Sequence, residues 1–138
     1  MNFYNNAQET EQAAEALFDA GLYRQSVYMA CLAVELYLKS KLQLVEHNED
    51  LEFSHDVINL YRALLTRFKP KTNMDSMITR SRKYMTESRY PYSSDVSIFT
   101  KEFATEFLDF VYAIRDFIDN DCLATMDDLK DKYSSGGK

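Results

Sequence analysis

The sequence predicts an all-α protein, a five-helix up-down antiparallel bundle. Only three Gly and two Pro occur in 138 residues, and two of the Gly lie at 136–137, so the rest of the chain is almost free of helix breakers. Apolar residues recur at helical spacing in five segments, and no alternation typical of a strand is long enough to matter. The length and a composition of 46% hydrophobic and 28% charged residues predict one soluble domain over residues 1–133. A disordered tail is expected at 134–138.

The first two helices are predicted as a hairpin around the one internal glycine. Helix 1 covers Ala7–Ala20, is capped by Asn5 or Asn6, and ends at Gly21. Helix 2 follows and runs to about Glu46, with more apolar surface than one face of a bundle requires. It is therefore the expected spine of the fold, and its surplus apolar surface predicts a homodimer. Its main stripe consists of Val27, Cys31, Val34, Leu38, Leu42 and Val45.

The remaining helices follow from caps and apolar stripes. Ser54 is the expected cap of helix 3, Thr72 or Asn73 that of helix 4, and Pro70 closes helix 3. Helix 4 has the thinnest apolar stripe, whereas helix 5 has a Phe-rich one. The predicted ranges are His55–Phe68 for helix 3, Met74–Ser88 for helix 4 and Ile98–Asp119 for helix 5, with a short acidic helix at Ala124–Tyr133.

Several classes of chemistry are excluded or disfavoured by the residues present. A single internal glycine rules out glycine-rich phosphate loops. The lone Glu-x-x-His element at residues 52–55 lacks the further carboxylates of a di-iron bundle. Cys31 is expected in the core, and Cys122 lies among acids that would raise its pKa. We expect no metal, no cofactor and no catalytic residues. The absence of a membrane-length apolar run and of a signal peptide predicts a cytoplasmic protein.

The charge distribution carries the main functional indication. Residues 62–101, here called the basic segment, hold nine Lys or Arg and three acids in a chain of net charge −6. The same segment contains Tyr84, Tyr90 and Tyr92. Bases interleaved with aromatic rings suit a nucleotide or single-stranded RNA. The alternative is a solvated helix whose bases pair with acids on neighbouring helices.

Within the basic segment, Arg82 and Arg89 lie seven residues apart and share a helix face next to Tyr90. Two guanidinium groups beside a stacking ring would form an anion clamp. The competing interpretation is that Arg82 or Arg89 bridges to an acid of helix 5, either Glu102 or Glu106. The full set of candidate nucleotide- or phosphate-binding residues is Arg82, Arg89, Lys83 and Tyr90, with His55 and Lys41 as outer candidates. For His55, the residues favour a structural, hydrogen-bonded histidine over a contact with phosphate.

Three segments in order resemble one known family. Residues 28–42, YMACLAVELYLKSKL, are similar to the second helix of HEPN domains (higher eukaryotes and prokaryotes nucleotide-binding). Residues 54–60, SHDVINL, resemble that family's entry into helix 3. Residues 88–91, SRYP, resemble its Arg-Tyr-Pro turn before the last long helix. The resemblance implies a helical bundle, often homodimeric, whose members bind nucleotides or RNA or pair with a minimal nucleotidyltransferase.

The same resemblance separates two kinds of HEPN protein. Ribonuclease toxins of the family carry an Arg-x(4–6)-His motif, and neither His47 nor His55 has an Arg at that spacing. The Arg-Tyr-Pro type without this motif is the closer likeness. The resulting hypothesis is a non-catalytic HEPN module that binds a nucleotide, RNA or a nucleotidyltransferase partner through helix 4. Two alternatives stay open: a metal-independent ribonuclease of the toxin type, and a structural dimerisation or antitoxin-like adaptor.

Overall fold

The structure, a computed structural model, describes residues 2–45, 54–87 and 96–122. These residues form five α-helices and no strand, which confirms the predicted all-α bundle. The helices are α1 (Phe3–Asp19), α2 (Tyr23–Val45), α3 (Val57–Leu65), α4 (Asp75–Glu87) and α5 (Lys101–Asp116). A 3₁₀ turn at Val96–Ile98 precedes α5, and a π turn at Phe117–Asp121 follows it. The predicted helix at Ala124–Tyr133 and the tail at 134–138 lie outside the described residues.

Helix α2 is the spine of the bundle, as its apolar surface predicts. It packs against α1, α3, α4 and α5. Apolar side chains of the other four helices pack against those of α2, and Cys31 of α2 lies in this core as expected. Gly21 joins α1 to α2 with a φ of 77°, a left-handed conformation that glycine adopts without strain. Several polar side chains of α2 are consequently buried, among them Ser26, Glu35, Lys39 and Ser40.

Two long-range polar contacts join α1 to the far end of the chain. The Tyr4 hydroxyl donates to Asp119 Oδ1 at 2.8 Å. Arg115 Nη1 donates to Glu11 Oε2 at 2.6 Å, while the Tyr37 hydroxyl donates to the other Glu11 oxygen at 3.1 Å. Glu11 is only 6% exposed, so this carboxylate connects α1, α2 and α5 inside the bundle.

The helix ends differ from the expected positions because the capping side chains differ. Helix α1 begins at Phe3, since Asn2 accepts from the Asn5 N–H and Phe3 and Ala7 are buried. Neither Asn5 nor Asn6 is the cap. Helix α3 begins two residues later than expected because Asp56, not Ser54, is its N-cap. Helix α5 begins at Lys101, where Thr100 accepts from the Phe103 N–H.

Candidate anion-binding site

A buried ion pair on α2 forms the base of the candidate site. Glu35 and Lys39 are only 2% and 4% exposed. Lys39 Nζ lies 3.2 Å from Glu35 Oε2, one helical turn away. The same ammonium lies 5.8 Å from the centre of the Phe3 ring. Glu35 Oε1 is buried and has no hydrogen-bond partner among the described residues. A carboxylate oxygen without a hydrogen-bond partner in the interior is costly.

His55 extends this ion pair to the surface. Its Nδ1 lies 3.2 Å from Glu35 Oε2, although its side chain is 82% exposed. An ionised carboxylate only accepts hydrogen bonds, so Nδ1 must be the donor in this contact. The other ring nitrogen, Nε2, is then the atom available to a ligand. His55 lies two residues before α3, rather than in its first turn as expected.

Arg82, on α4, contacts Asp56, the residue that follows His55 in the chain. Its Nη2 lies 3.7 Å from Asp56 Oδ2, and its side chain is 60% exposed. The other oxygen of Asp56 accepts from the Ile58 N–H at 3.0 Å and so caps α3. Ser54 Oγ supports this turn by accepting from the Asp56 N–H at 3.1 Å. The cap therefore fixes the Asp56 carboxylate near Arg82, one residue after His55 in the chain. We call Glu35, Lys39, His55, Asp56 and Arg82 the His55 site.

The other two bases of α4 have partners of different kinds: Arg80 contacts side chains of α5, and Lys83 contacts a ring on α4 itself. Arg80 Nη1 donates to Glu106 Oε2 at 2.6 Å, and its guanidinium lies 5.3 and 5.2 Å from the rings of Phe103 and Phe107. Lys83 Nζ lies 5.4 Å from the centre of the Tyr84 ring. The acid at 106 is thus paired with Arg80, whereas Arg82 is paired with Asp56. Part of the basic segment therefore forms ion pairs with acids outside α4, as the alternative interpretation of a solvated helix predicts.

Lys41 lines a different cavity. This cavity has a volume of about 390 Å³ and is formed by Tyr4, Ser40, Lys41, Leu44, Ile118 and Asp119. Lys41 also acts on the buried Cys122 thiol, whose pKa is raised to about 12, chiefly by burial and further by Asp121, while Lys41 opposes the increase. The sequence predicts that nearby acids raise this pKa. Asp121 does so, but burial is the larger cause. Lys41 and His55 thus line separate surfaces.

Two candidate residues, Arg89 and Tyr90, lie outside the described residues. Of the other four, His55 contacts Glu35, and Arg82 pairs with Asp56, the residue that follows His55 in the chain. Lys83 is next to Arg82 on α4 but contacts Tyr84. The proposed sharing of one face by Arg82 and Arg89 stays a prediction.

Sequence reasoning missed Glu35, Lys39 and Asp56. A usable signal existed for the first two, since they are opposite charges four residues apart among the apolar positions of α2. Asp56 was detectable as an alternative cap directly after Ser54-His55. No sequence pattern indicates that the Asp56 carboxylate meets Arg82, because that contact depends on how α3 and α4 pack.

The described residues contain no group of three His, Cys, Asp or Glu side chains placed to hold a metal ion. None of their helices is both long and apolar enough to cross a membrane.

The family expected from the resemblance is confirmed by comparison with known proteins. The HEPN domain family matches residues 1–121, which span α1 to the π turn after α5. The chain therefore belongs to the HEPN family. Comparison with curated proteins and with solved structures gave no significant match. Membership makes the chain a nucleotide- or RNA-related module.

Proposed function

We propose that this HEPN domain is a binding module that holds a phosphate group of a nucleotide or RNA at the His55 site. The observation that supports the proposal is the exposed His55 ring, which contacts the buried Glu35 carboxylate, while Arg82 of α4 pairs with Asp56, the next residue in the chain. The proposal is that both exposed side chains donate to oxygens of one phosphate group.

Arg82 retains capacity for a ligand despite its ion pair. The 3.7 Å separation from Asp56 Oδ2 is longer than a hydrogen bond, and the side chain is largely exposed. A guanidinium has five N–H donors, so one ionic neighbour leaves most of them available. Lys83 lies one residue further along α4 and adds positive charge to the same helix. Arg89 and Tyr90, from the sequence prediction, would extend the site toward a base.

The first test is a titration with ATP, GTP and a short single-stranded RNA at low salt. We expect binding that weakens as salt increases, because phosphate contacts release counterions. Arg82→Ala is expected to weaken it by about tenfold or more, since a charge-assisted hydrogen bond to phosphate is lost. Isothermal calorimetry gives the dissociation constants.

Arg62→Ala is the matched control for this test. Arg62 is an exposed arginine on α3 within the same basic segment, so its removal changes net charge equally. Equal losses for Arg62→Ala and Arg82→Ala would mean that only overall charge attracts the ligand. A protein that binds none of the three ligands at low salt would contradict the proposal, and the surface would then be assigned to a protein partner such as a nucleotidyltransferase.

A second candidate function, metal-independent RNA cleavage, is favoured by one observation. The Glu35 contact fixes Nδ1 of His55 as a donor and leaves Nε2 outward, the arrangement of a histidine general base. In that reaction Nε2 takes the proton of a ribose 2′-hydroxyl, the 2′-oxygen attacks the adjacent phosphorus, and the 5′-oxygen leaves and gains a proton. Arg82 would stabilise the charge on the phosphoryl oxygens.

Cleavage of single-stranded RNA in excess EDTA tests this candidate. It predicts products ending in a 2′,3′-cyclic phosphate and their loss, by about a hundredfold or more in rate, in His55→Ala. Wild-type protein that binds RNA without cleaving it would leave the binding module as the function. Cleavage that persists in His55→Ala would exclude this ring as the base.

A further inference from the structure

We infer that the cavity between the start of α1, the end of α2 and the π turn binds a small zwitterion, an α-amino acid with an apolar side chain. This cavity has a volume of about 390 Å³ and is lined by Tyr4, Ser40, Lys41, Leu44, Ile118 and Asp119. Small-molecule sites typically have volumes of about 300–1,000 Å³. The described lining residues include none of the His55 site, so the inference is independent of the proposed function.

The lining offers each kind of group that such a ligand needs. Lys41 supplies an ammonium group for a carboxylate, and Asp119 supplies a carboxylate for an ammonium group. Leu44 and Ile118 supply aliphatic surface for the side chain of the ligand. A ligand with only one charge would displace water from the other lining charge without replacing its hydrogen bonds, which is costly. The lining therefore favours a ligand that carries both charges.

Lys41 has its charge available for a ligand. Its side chain is half-buried, and none of the ion pairs among the described residues uses it. The carboxylate of Asp121 is engaged by Lys71, whose N–H donates to Oδ2 at 3.3 Å and whose Nζ lies 3.7 Å from Oδ1. The Cys122 thiol, which Lys41 also influences, is neutral at neutral pH because burial raises its pKa to about 12. It therefore does not neutralise the ammonium group.

Asp119 is held in place by Tyr4. The Tyr4 hydroxyl donates to Asp119 Oδ1 at 2.8 Å. Burial and this hydrogen bond raise the pKa of Tyr4, so the hydroxyl stays protonated at neutral pH and continues to donate. An ionised carboxylate has about four acceptor positions on its two oxygens. One bond from Tyr4 thus orients the group and leaves capacity for the ammonium group of a ligand.

The wall that carries Asp119 is a π turn. The Cys122 N–H donates to the Phe117 carbonyl oxygen at 2.9 Å, a step of five residues where an α-helix has four. Phe117, Ile118 and Cys122 are buried in this turn, whereas Asp119 is exposed. The turn thus presents a carboxylate beside a buried apolar side chain. Turns of this type are rare and are frequently found at functional sites.

The test is an NMR titration of the isotopically labelled protein with L-leucine. We expect saturable shifts of the backbone amide signals at residues 40–44 and 118–122, which surround the cavity. The amide signal of Arg82 is expected to stay in place. Absence of shifts at up to about 10 mM leucine, or shifts confined to residues away from the cavity, would overturn the inference.

Two analogues of leucine separate its charges. Isocaproate lacks the ammonium group, and isoamylamine lacks the carboxylate. We expect each to bind about tenfold or more weakly than leucine, because one charge of the lining then loses its partner. If either analogue binds as tightly as leucine, the site recognises a single charge and the inference is wrong.

Two substitutions assign the charges to residues. Lys41→Met is expected to weaken leucine binding by about tenfold or more and to leave isoamylamine binding nearly unchanged. Asp119→Asn is expected to weaken leucine binding similarly and to leave isocaproate binding nearly unchanged. Lys101→Met and Asp109→Asn, which remove exposed charges on α5, are the matched controls. Leucine binding that is unchanged in both cavity variants would overturn the inference. If a cavity variant does not fold, the analogues decide the question in the wild type.

A parallel titration with AMP separates this inference from the proposed function. Shifts around the cavity with AMP but not with leucine would overturn the inference and assign the cavity to a nucleotide. A cavity that binds neither ligand would also overturn it. Both results leave phosphate binding at the His55 site to be decided by Arg82→Ala.

Discussion

Lys39→Met is expected to lower the free energy of unfolding by about 3–5 kcal/mol, because it leaves the Glu35 carboxylate buried without its ammonium partner. Both side chains are almost completely buried and lie 3.2 Å apart. Methionine has nearly the length of lysine, so the packing against Phe3 is largely kept. Urea denaturation at neutral pH measures the change.

The double variant Glu35→Gln/Lys39→Met is the decisive control. Replacing both charges removes the unpaired carboxylate, and we expect it to recover most of the lost stability. If Lys39→Met is as stable as the wild type, the pair is hydrated in solution rather than buried. If the double variant is as unstable as the single one, packing of the lysine stem is what matters.

Arg115→Met is the second large effect, with an expected loss of about 2–3 kcal/mol at neutral pH. Glu11 is buried and accepts from Arg115 at 2.6 Å, so the substitution would leave this carboxylate without the cation that it contacts. The expected loss is smaller than for Lys39 because the Arg115 side chain is 39% exposed and solvent screens the pair. Arg62→Met, an exposed arginine on α3, is the control.

This loss is expected to depend on pH. Burial raises the pKa of the Glu11 carboxyl above its ordinary value of 4.5, and Arg115 counteracts that increase. A carboxyl with a raised folded-state pKa contributes its full stability below the unfolded pKa and loses it as the pH rises through the folded one. Without Arg115 the folded pKa rises further. The difference between variant and wild type should therefore shrink as the pH falls toward 4.5. A difference that is constant with pH would show that Glu11 is hydrated.

The helices could be predicted because their causes are local. Apolar spacing located all five, and Gly21 marked the α1–α2 turn. The helix ends were harder to predict from the sequence because more than one residue near each end could act as the cap. Asn2 was preferred over Asn5 and Asn6 because a helix that starts at Phe3 buries this ring, a gain that depends on α2. Asp56 was preferred over Ser54 for α3.

The buried charges could not be predicted for a different reason. A glutamate such as Glu11 has the same local signature whether it faces water or an arginine 104 positions away. Its partner becomes evident only when α1 and α5 are packed together. The same holds for the site: the basic segment indicated Arg82, and His55 was an outer candidate, but their contacts with Asp56 and Glu35 depend on how the helices pack.

The contacts between α1 and the end of the described chain also bear on how the protein folds. The Tyr4–Asp119 hydrogen bond closes a loop of 115 residues, whereas the α1–α2 hairpin closes around a turn of a few residues. Loop-closure entropy grows only as the logarithm of loop length, so this distant closure is affordable once the other helices have docked. Before the helices dock, closing this long loop costs more conformational entropy than closing the α1–α2 turn. The contact that joins α1 to the residues after α5 is thus expected to form later than the α1–α2 hairpin.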